Sequence, residues 1–458
     1  MFGLLAQVGL DATGLDGWFH LTVGQWDPVA GPAGVLLYLP FIPLFWAAGR
    51  RATLWLIPIS SLMLAWATLG VAYTALLAVI TCVCWTVTVT VGSALATTAR
   101  GPAGQTGAQH TWSTPVVGGC LVLTAIYSLI VIWPQPPWLP KREPPLYFYA
   151  QWAGLAYLAL RALQVLIEMG RGTVGRAPGL NRERLTEGSA PLTFGRYTAY
   201  ILFAPSLRMG PIFRYGQFAQ ELEAAPAQRT GRALAAGAAR IALGLFRLGV
   251  MLALIGEIPA EQLFSRPESL PTYQLIAGLY IQPLSIFLWI AGYSDIAIGM
   301  GRLCGIRVPE NFNFPWLATS IADFWRRWHL SLSFWLRDYI YIPLGGNRRH
   351  VELNYVITFL FVALWHGLYL SYILWGLSQG VGLAVHRQWS RFWYHRRGLD
   401  TKLLRLLRRT GMSGGRPGIV LAWLLTFHYQ AFTIALFMDE GHCLTRVGRE
   451  LLGRLGSS

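Results

Sequence analysis

Long apolar runs set the terms on which this chain can fold. They fall at 31–48, 53–72, 73–95, 116–134, 146–168, 192–207, 233–255, 272–300, 353–386 and 417–438. A run of roughly 20 apolar residues is the length that crosses a ~30 Å hydrocarbon core as a helix. Within that core only helices and closed barrels satisfy every backbone polar group. Runs this continuous read as helices, so the expected fold is all-α and polytopic, with about ten or eleven passes, the longest runs folding back or tilting. Composition agrees: 54% of residues are hydrophobic and 13% charged, and the mean hydropathy is +0.43, on the apolar side of a soluble domain. Residues 1–458 read as one integral domain. Plain scaffold spans occupy it to about residue 190, chemistry-bearing sequence runs from about 200 to 380, and a basic loop fills 387–416.

The formal charge of +16 is mostly arginine, with lysine only at Lys141 and Lys402. On a membrane protein such charge marks cytoplasmic loops. With no soluble domain to display it, nucleic acid is not an expected partner; the lipid bilayer is. Arg50-Arg51, the stretch 171–184 and the segment 387–416 would be cytoplasmic, while the first thirty residues, with Asp11, Asp16 and Asp27 and no Lys or Arg, would lie outside. The sign pattern is ambiguous around 192–232. No cleavable signal peptide is visible, so the first span would serve as the address of a multi-pass protein of the cell membrane. Cys82, Cys84, Cys120, Cys304 and Cys443 form no metal spacing and no disulfide framework, and Cys82 and Cys84 read as packing residues.

Chemistry concentrates where polar residues interrupt apolar sequence. The stretch Asp323–Gly346 reads DFWRRWHLSLSFWLRDYIYIPLGG, and Leu364-Trp365-His366-Gly367 lies inside a long apolar run. An ionisable side chain at membrane depth is a functional-site candidate by default. Counted from Asn354 at ~1.5 Å per residue, His366 lies roughly 18 Å in, near mid-bilayer. A neutral imidazole there could act as general base on an acceptor hydroxyl, or could bridge two helices by hydrogen bonds. Upstream, Ser320–Asp323 fits a capping signature. Trp325, His329, Leu332 and Leu336 then share one face, which predicts one amphipathic helix at or below the cytoplasmic interface, ending at Pro343 and Gly345-Gly346. Asp323 can pair with Arg327, and Asp338 with its neighbour Arg337. Arg326, Arg327 and Arg337 suit either the phosphates of a thioester donor or positive-inside anchoring. Asp295, inside an apolar run, calls for a buried partner, an arginine or His366 itself, and reads as structural. Gly376-Leu377-Ser378-Gln379-Gly380 fits a serine nucleophile elbow, but continues an apolar helix where that motif needs a strand before it; it reads as chance.

Several of these segments resemble one family. Leu364–Gly367, and Trp328-His329 with Ser331, Ser333, Trp335, Arg337, Asp338 and Tyr339, are similar to the two histidine motifs of the membrane-bound O-acyltransferases, in their bacterial branch. Gly292–Gly299, Pro309–Asn313 and the Gly210-Pro211 turn flanked by Arg208 and Arg214 resemble the same branch. The likeness is dense from Arg208 to Trp375. Tyr341–Arg348 is similar to the alginate O-acetyltransferase subfamily, whereas Arg161–Glu168 looks more like the subfamily that passes D-alanine toward teichoic acids. Glu168-Met169-Gly170-Arg171 and Phe437-Met438-Asp439-Glu440 depart from the alginate-type pattern.

The resemblance implies a ring of tilted transmembrane helices, with re-entrant or interfacial pieces, around a central tunnel. It implies catalysis by His366 and His329, and a donor tunnel with Trp325, Trp328, Trp335, Arg326, Arg327 and Arg337. Asp295, Asn311, Asp338, Tyr339, Trp365, Arg208 and Arg214 would support the site. No metal and no tightly bound cofactor are expected. Acetyl-CoA or an acyl-carrier thioester would be the donor substrate. The receiver would be an exported polysaccharide, or a periplasmic or extracellular acetyltransferase that relays the group. D-alanyl transfer from a carrier protein is the main rival, and a non-enzymatic transporter is the alternative of a different class.

Overall fold

The structure is a computed structural model that describes residues 32–98, 145–175, 191–207, 209–255, 263, 266–367, 369–396, 416–437, 447, 449–451 and 453–454. The expected span at 116–134, the acidic N-terminus, Arg208 and the part of the basic loop at 397–415 lie outside the described residues. Among the described residues all regular structure is helical. Four helical stretches, Thr74–Gly92, Gly231–Ile255, Thr272–Leu303 and Gly418–Phe437, are long and apolar enough to cross a bilayer. Large apolar side chains stand exposed on the helices, among them Leu36, Val71, Leu254, Val385 and Leu425, a surface suited to lipid. The chain is an all-α polytopic membrane protein.

Two compact units divide it, one drawn from Met1–Ala253 with Gly292–Pro309, the other from Leu254–Ala291 with Glu310–Ser458. The first holds α1 (Pro32–Tyr38), α2 (Phe41–Ala47), α3 (Arg50–Thr98), α4 (Pro145–Gly170), α5 (Phe194–Ile201), α6 (Tyr215–Gln228) and α7 (Gly231–Phe246), the last continued by a π turn, Arg247–Met251. It also takes the later part of α8 (Thr272–Leu303). The passes expected at 53–72 and 73–95 are one helix, α3, about 74 Å long at 1.5 Å per residue. An isolated Gly70 lies near the end of the first, and a lone glycine weakens a helix without breaking it. The run at 192–207 is not a span. Its helix ends at Ile201, where Pro205 four residues on has no N–H to give, and fully buried Arg161 donates to the carbonyls of Tyr200 (3.2 Å), Ile201 (3.1 Å) and Ser206. Helix-end carbonyls need such outside donors. α7 and α8 approach through glycines: a Cβ on Gly244 would lie 2.6 Å from Gly292 O, and one on Gly299 2.6 Å from Gly237 O.

In the second unit come α9 (Ile321–Trp325), α10 (Leu330–Leu336), a π turn at Arg337–Tyr341, α11 (Val351–His366), α12 (Leu370–Arg396) and α13 (Arg416–Phe437). The run at 353–386 breaks at Gly367, whose φ of +153° suits only glycine. α11 and α12 then pack as an antiparallel pair. A Cβ on Gly376 would meet Phe359 O at 2.6 Å, and one on Gly380 would meet Val356 Cα at 2.6 Å. Gly376–Gly380 lies inside α12, with no strand before it, and serves as a small-xxx-small packing face. An aromatic core of Phe324 and Trp328, with Phe287, Phe312, Trp316 and Trp325 against it, fills the unit.

Candidate active site

The segment around His329 is not the single helix that its spacing predicts. Ser320 Oγ does cap the start, accepting from Asp323 N–H at 3.1 Å, but α9 ends at Trp325 and His329 turns left-handed, with φ +43°. A non-glycine residue there is uncommon and must be held by its surroundings. Asn311, 1% exposed, does the holding. Its backbone carbonyl accepts from Leu330 N–H (2.9 Å), and its Oδ1 accepts from Ser331 N–H (3.3 Å) and Ser331 Oγ (2.9 Å). Asn313 N–H donates to Arg327 O at 2.9 Å, so two strips of loop clamp the turn. The His329 ring is buried, 6.2 Å from the Phe312 centroid.

His366 ends α11, where Gly367 reverses the chain. It thus stands at a helix terminus and not inside a longer helix. The imidazole is solvent-accessible although aromatic rings crowd it: Trp365 at 4.6 Å, Phe437 at 4.8 Å, Tyr372 at 5.9 Å and Trp375 at 6.1 Å between centroids. His329 and His366 lie within electrostatic reach of each other. Trp375 also sits 6.2 Å from Trp325, whose Nε1 donates to Gln379 Oε1 at 3.0 Å. The indole N–H of Trp375, in a side chain 6% exposed, has no hydrogen-bond partner.

Other expected residues divide between the units. Trp328 and Trp335 are buried in the second, Trp335 stacking on Phe361 at 6.1 Å and lying 5.2 Å from buried Tyr339. Arg327 Nε pairs with Asp323 at 2.9 Å, and Arg337 Nε with Asp338 at 2.7 Å. Arg326 is 70% exposed and reaches Asp323 only at 3.6 Å. Asp295 belongs to the first unit, 1% exposed and paired with Arg240 (2.7 Å) and with Arg247 of the π turn. Its partners are thus arginines. Arg214 precedes α6 in the same unit, its carbonyl accepting from Phe218 N–H at 2.8 Å. Sequence reasoning passed over Arg161 as a buried group. A lone arginine inside the apolar run 146–168 was the signal.

Helices faced for lipid and two histidines set at helix breaks define a membrane protein with polar groups inside. Residues 125–400 match the family model for the membrane-bound O-acyltransferase family, MBOAT, and the chain belongs to that family. It is 33% identical to a peptidoglycan O-acetyltransferase of Helicobacter pylori, over 51% of this chain and 42% of that protein. To a probable alginate O-acetylase AlgI of Pseudomonas aeruginosa it is 35% identical, over 44% of this chain and 39% of the relative. A teichoic acid D-alanyltransferase of Bacillus subtilis is 29% identical over 70% of this chain and 77% of that relative. The matches to the two acetylating relatives thus span about two fifths of their length.

Proposed function

We propose that this chain is an acyltransferase that carries an acyl group, acetyl first among the candidates, from a cytoplasmic thioester to a hydroxyl of an exported polysaccharide or cell-envelope polymer. The observation that carries the reading is an accessible imidazole at a helix break, ringed by aromatics, with a second histidine within electrostatic reach. In this reading His366 takes the proton of the acceptor hydroxyl, worth typically ~10²–10⁴ in rate. The freed oxygen attacks the thioester carbonyl; the C–O bond forms, the C–S bond breaks, and the proton passes from His366 to the departing thiolate. The charge that gathers on the carbonyl oxygen needs a donor. Trp375 Nε1, buried beside His366 without a partner, is the candidate. His329 orients the donor or His366, and Arg326, exposed and loosely paired, is the arginine of its segment best placed for a donor phosphate.

A second reading is D-alanyl transfer from a carrier protein to a teichoic-acid-like polymer. The relative of that name matches a larger share of this chain than the acetylating relatives do. Purified protein in detergent, offered acetyl-CoA and separately a D-alanyl carrier thioester, tests both. Acceptor-dependent cleavage of acetyl-CoA supports the first reading, and cleavage of the carrier thioester alone supports the second. Neither thioester being cleaved would remove both readings in favour of a non-enzymatic transporter.

A further inference from the structure

The first unit carries a cavity of about 270 Å³ where Gln228, Thr230, Arg232, Arg302 and Arg307 stand among Gly305 and the alanines 227, 233 and 236. Among the described residues no acidic side chain lines it. Two local motifs build it. At one side α8 closes with a left-handed Gly305 (φ +83°), Gly305 N–H donating to Arg302 O (3.0 Å) and Ile306 N–H to Gly301 O (2.8 Å). This is the paired-bond ending that reverses a helix, and it sets Arg302 before the turn and Arg307 after it. A side chain on Gly305 would also collide with Ala225 O and the Arg229 side chain, which locks the turn in place.

At the other side α7 begins. Thr230 Oγ1 takes the N–H of Ala233 at 3.2 Å, so Gly231 and Arg232 keep N–H groups with no partner inside the helix, and the positive end of a 16-residue helix meets the cavity. The space before Gly231 is open: an added Cβ would meet nothing within 4 Å. Arg232 and Arg307 are exposed and make no ion pair among the described residues. Glu221 reaches the rim, but its Oε2 is taken by Arg307 N–H (3.0 Å) and Gln228 Nε2 (3.1 Å).

We infer that this cavity is a binding site for a phosphate group. A planar guanidinium fork matches phosphate oxygens with paired hydrogen bonds, and a helix start adds N–H groups aimed at the anion. The same end of the unit carries Arg50, ion-paired with Glu223 at 2.5 Å, and Arg229, bonded to Ala48 O and Thr53 Oγ1. By the charge rule that makes Arg50-Arg51 cytoplasmic, the cavity opens at the cytoplasmic headgroup level. The phosphate can come from an anionic phospholipid of that leaflet or from a soluble phosphorylated molecule. The site does not depend on the acyl-transfer reading.

The test uses the full chain in phosphatidylcholine nanodiscs. One arm adds phosphatidylglycerol to the discs; the other adds pyrophosphate or free coenzyme A to the solution. Lipid retained after delipidation, by native mass spectrometry, and ligand-induced rise in the unfolding midpoint are the readouts. Arg232→Ala/Arg307→Ala is compared with Arg50→Ala/Arg51→Ala, which removes equal charge from the same end outside the cavity. A loss of about tenfold or more in affinity confined to the cavity variant is expected. Loss in the lipid arm identifies a headgroup, and loss in the soluble arm a free phosphate compound. Equal loss in both variants would mean diffuse surface charge, and binding in neither arm would mean an empty cavity; either overturns the site.

Discussion

Two polar centres inside apolar helices make an instructive pair. Around Asp295 charge is met by charge: a carboxylate, two guanidiniums and glycine-packed helices leave little to do but hold α7 against α8. Around His366 the neighbours are aromatic: Trp365, Tyr372, Trp375 and Phe437. The backbone is forced at His329 and broken at Gly367, the indole N–H of Trp375 is left without an acceptor, and His366 is exposed among aromatic rings. Buried ionic groups that are fully answered are architecture; strained, open and unanswered ones are where function is sought.

That contrast can be broken experimentally. The largest effect is expected from His366→Ala: acyl transfer, measured by acceptor-dependent thioester cleavage, falls roughly 10²–10⁴-fold while the unfolding midpoint stays put. Asp295→Asn should invert the pattern. It leaves two arginines facing each other and costs about 3 kcal/mol, the low end for a broken buried pair because both guanidiniums keep some exposure; detergent unfolding curves read it. A stable, inactive Asp295→Asn protein would erase the distinction between the centres. Next, Trp375→Phe keeps the ring and removes the N–H. Turnover should drop on the order of 10²-fold with little change in the concentration of thioester needed, and unchanged turnover would strip Trp375 of its part. Smallest is Asn311→Ala, which unpins the His329 turn at about 1–3 kcal/mol; the sharpening observation is that stability and turnover fall together.

Much of the fold was legible because hydrocarbon demands long apolar helices, and the two histidines stood out for the same reason. What misled was local. Trp325, His329, Leu332 and Leu336 keep helical spacing across a left-handed residue, so periodicity ran straight through the break. Only the pairing of 311–313 with 327–331, invisible in a linear pattern, makes that break affordable. Gly367 belongs to the His366 motif, and a glycine in that position is also a helix stop. Arg161 was another missed signal. It sits fully buried and stitches α4 to the end of α5, with Gln164 Oε1 accepting from Tyr200 Oη at 3.2 Å and Gln164 Nε2 donating to Glu168 at 3.0 Å nearby.

The helix that ends in His366 runs only from Val351, about 24 Å at 1.5 Å per residue. It falls short of a ~30 Å core, so in the proposed reading it would act as a depth gauge: helix length, more than side-chain fit, would set how far into the core the imidazole reaches. One added turn would drive the ring ~5.4 Å further along the helix axis. In the proposed acyl transfer, the length of one helix would thereby set where the two substrates meet.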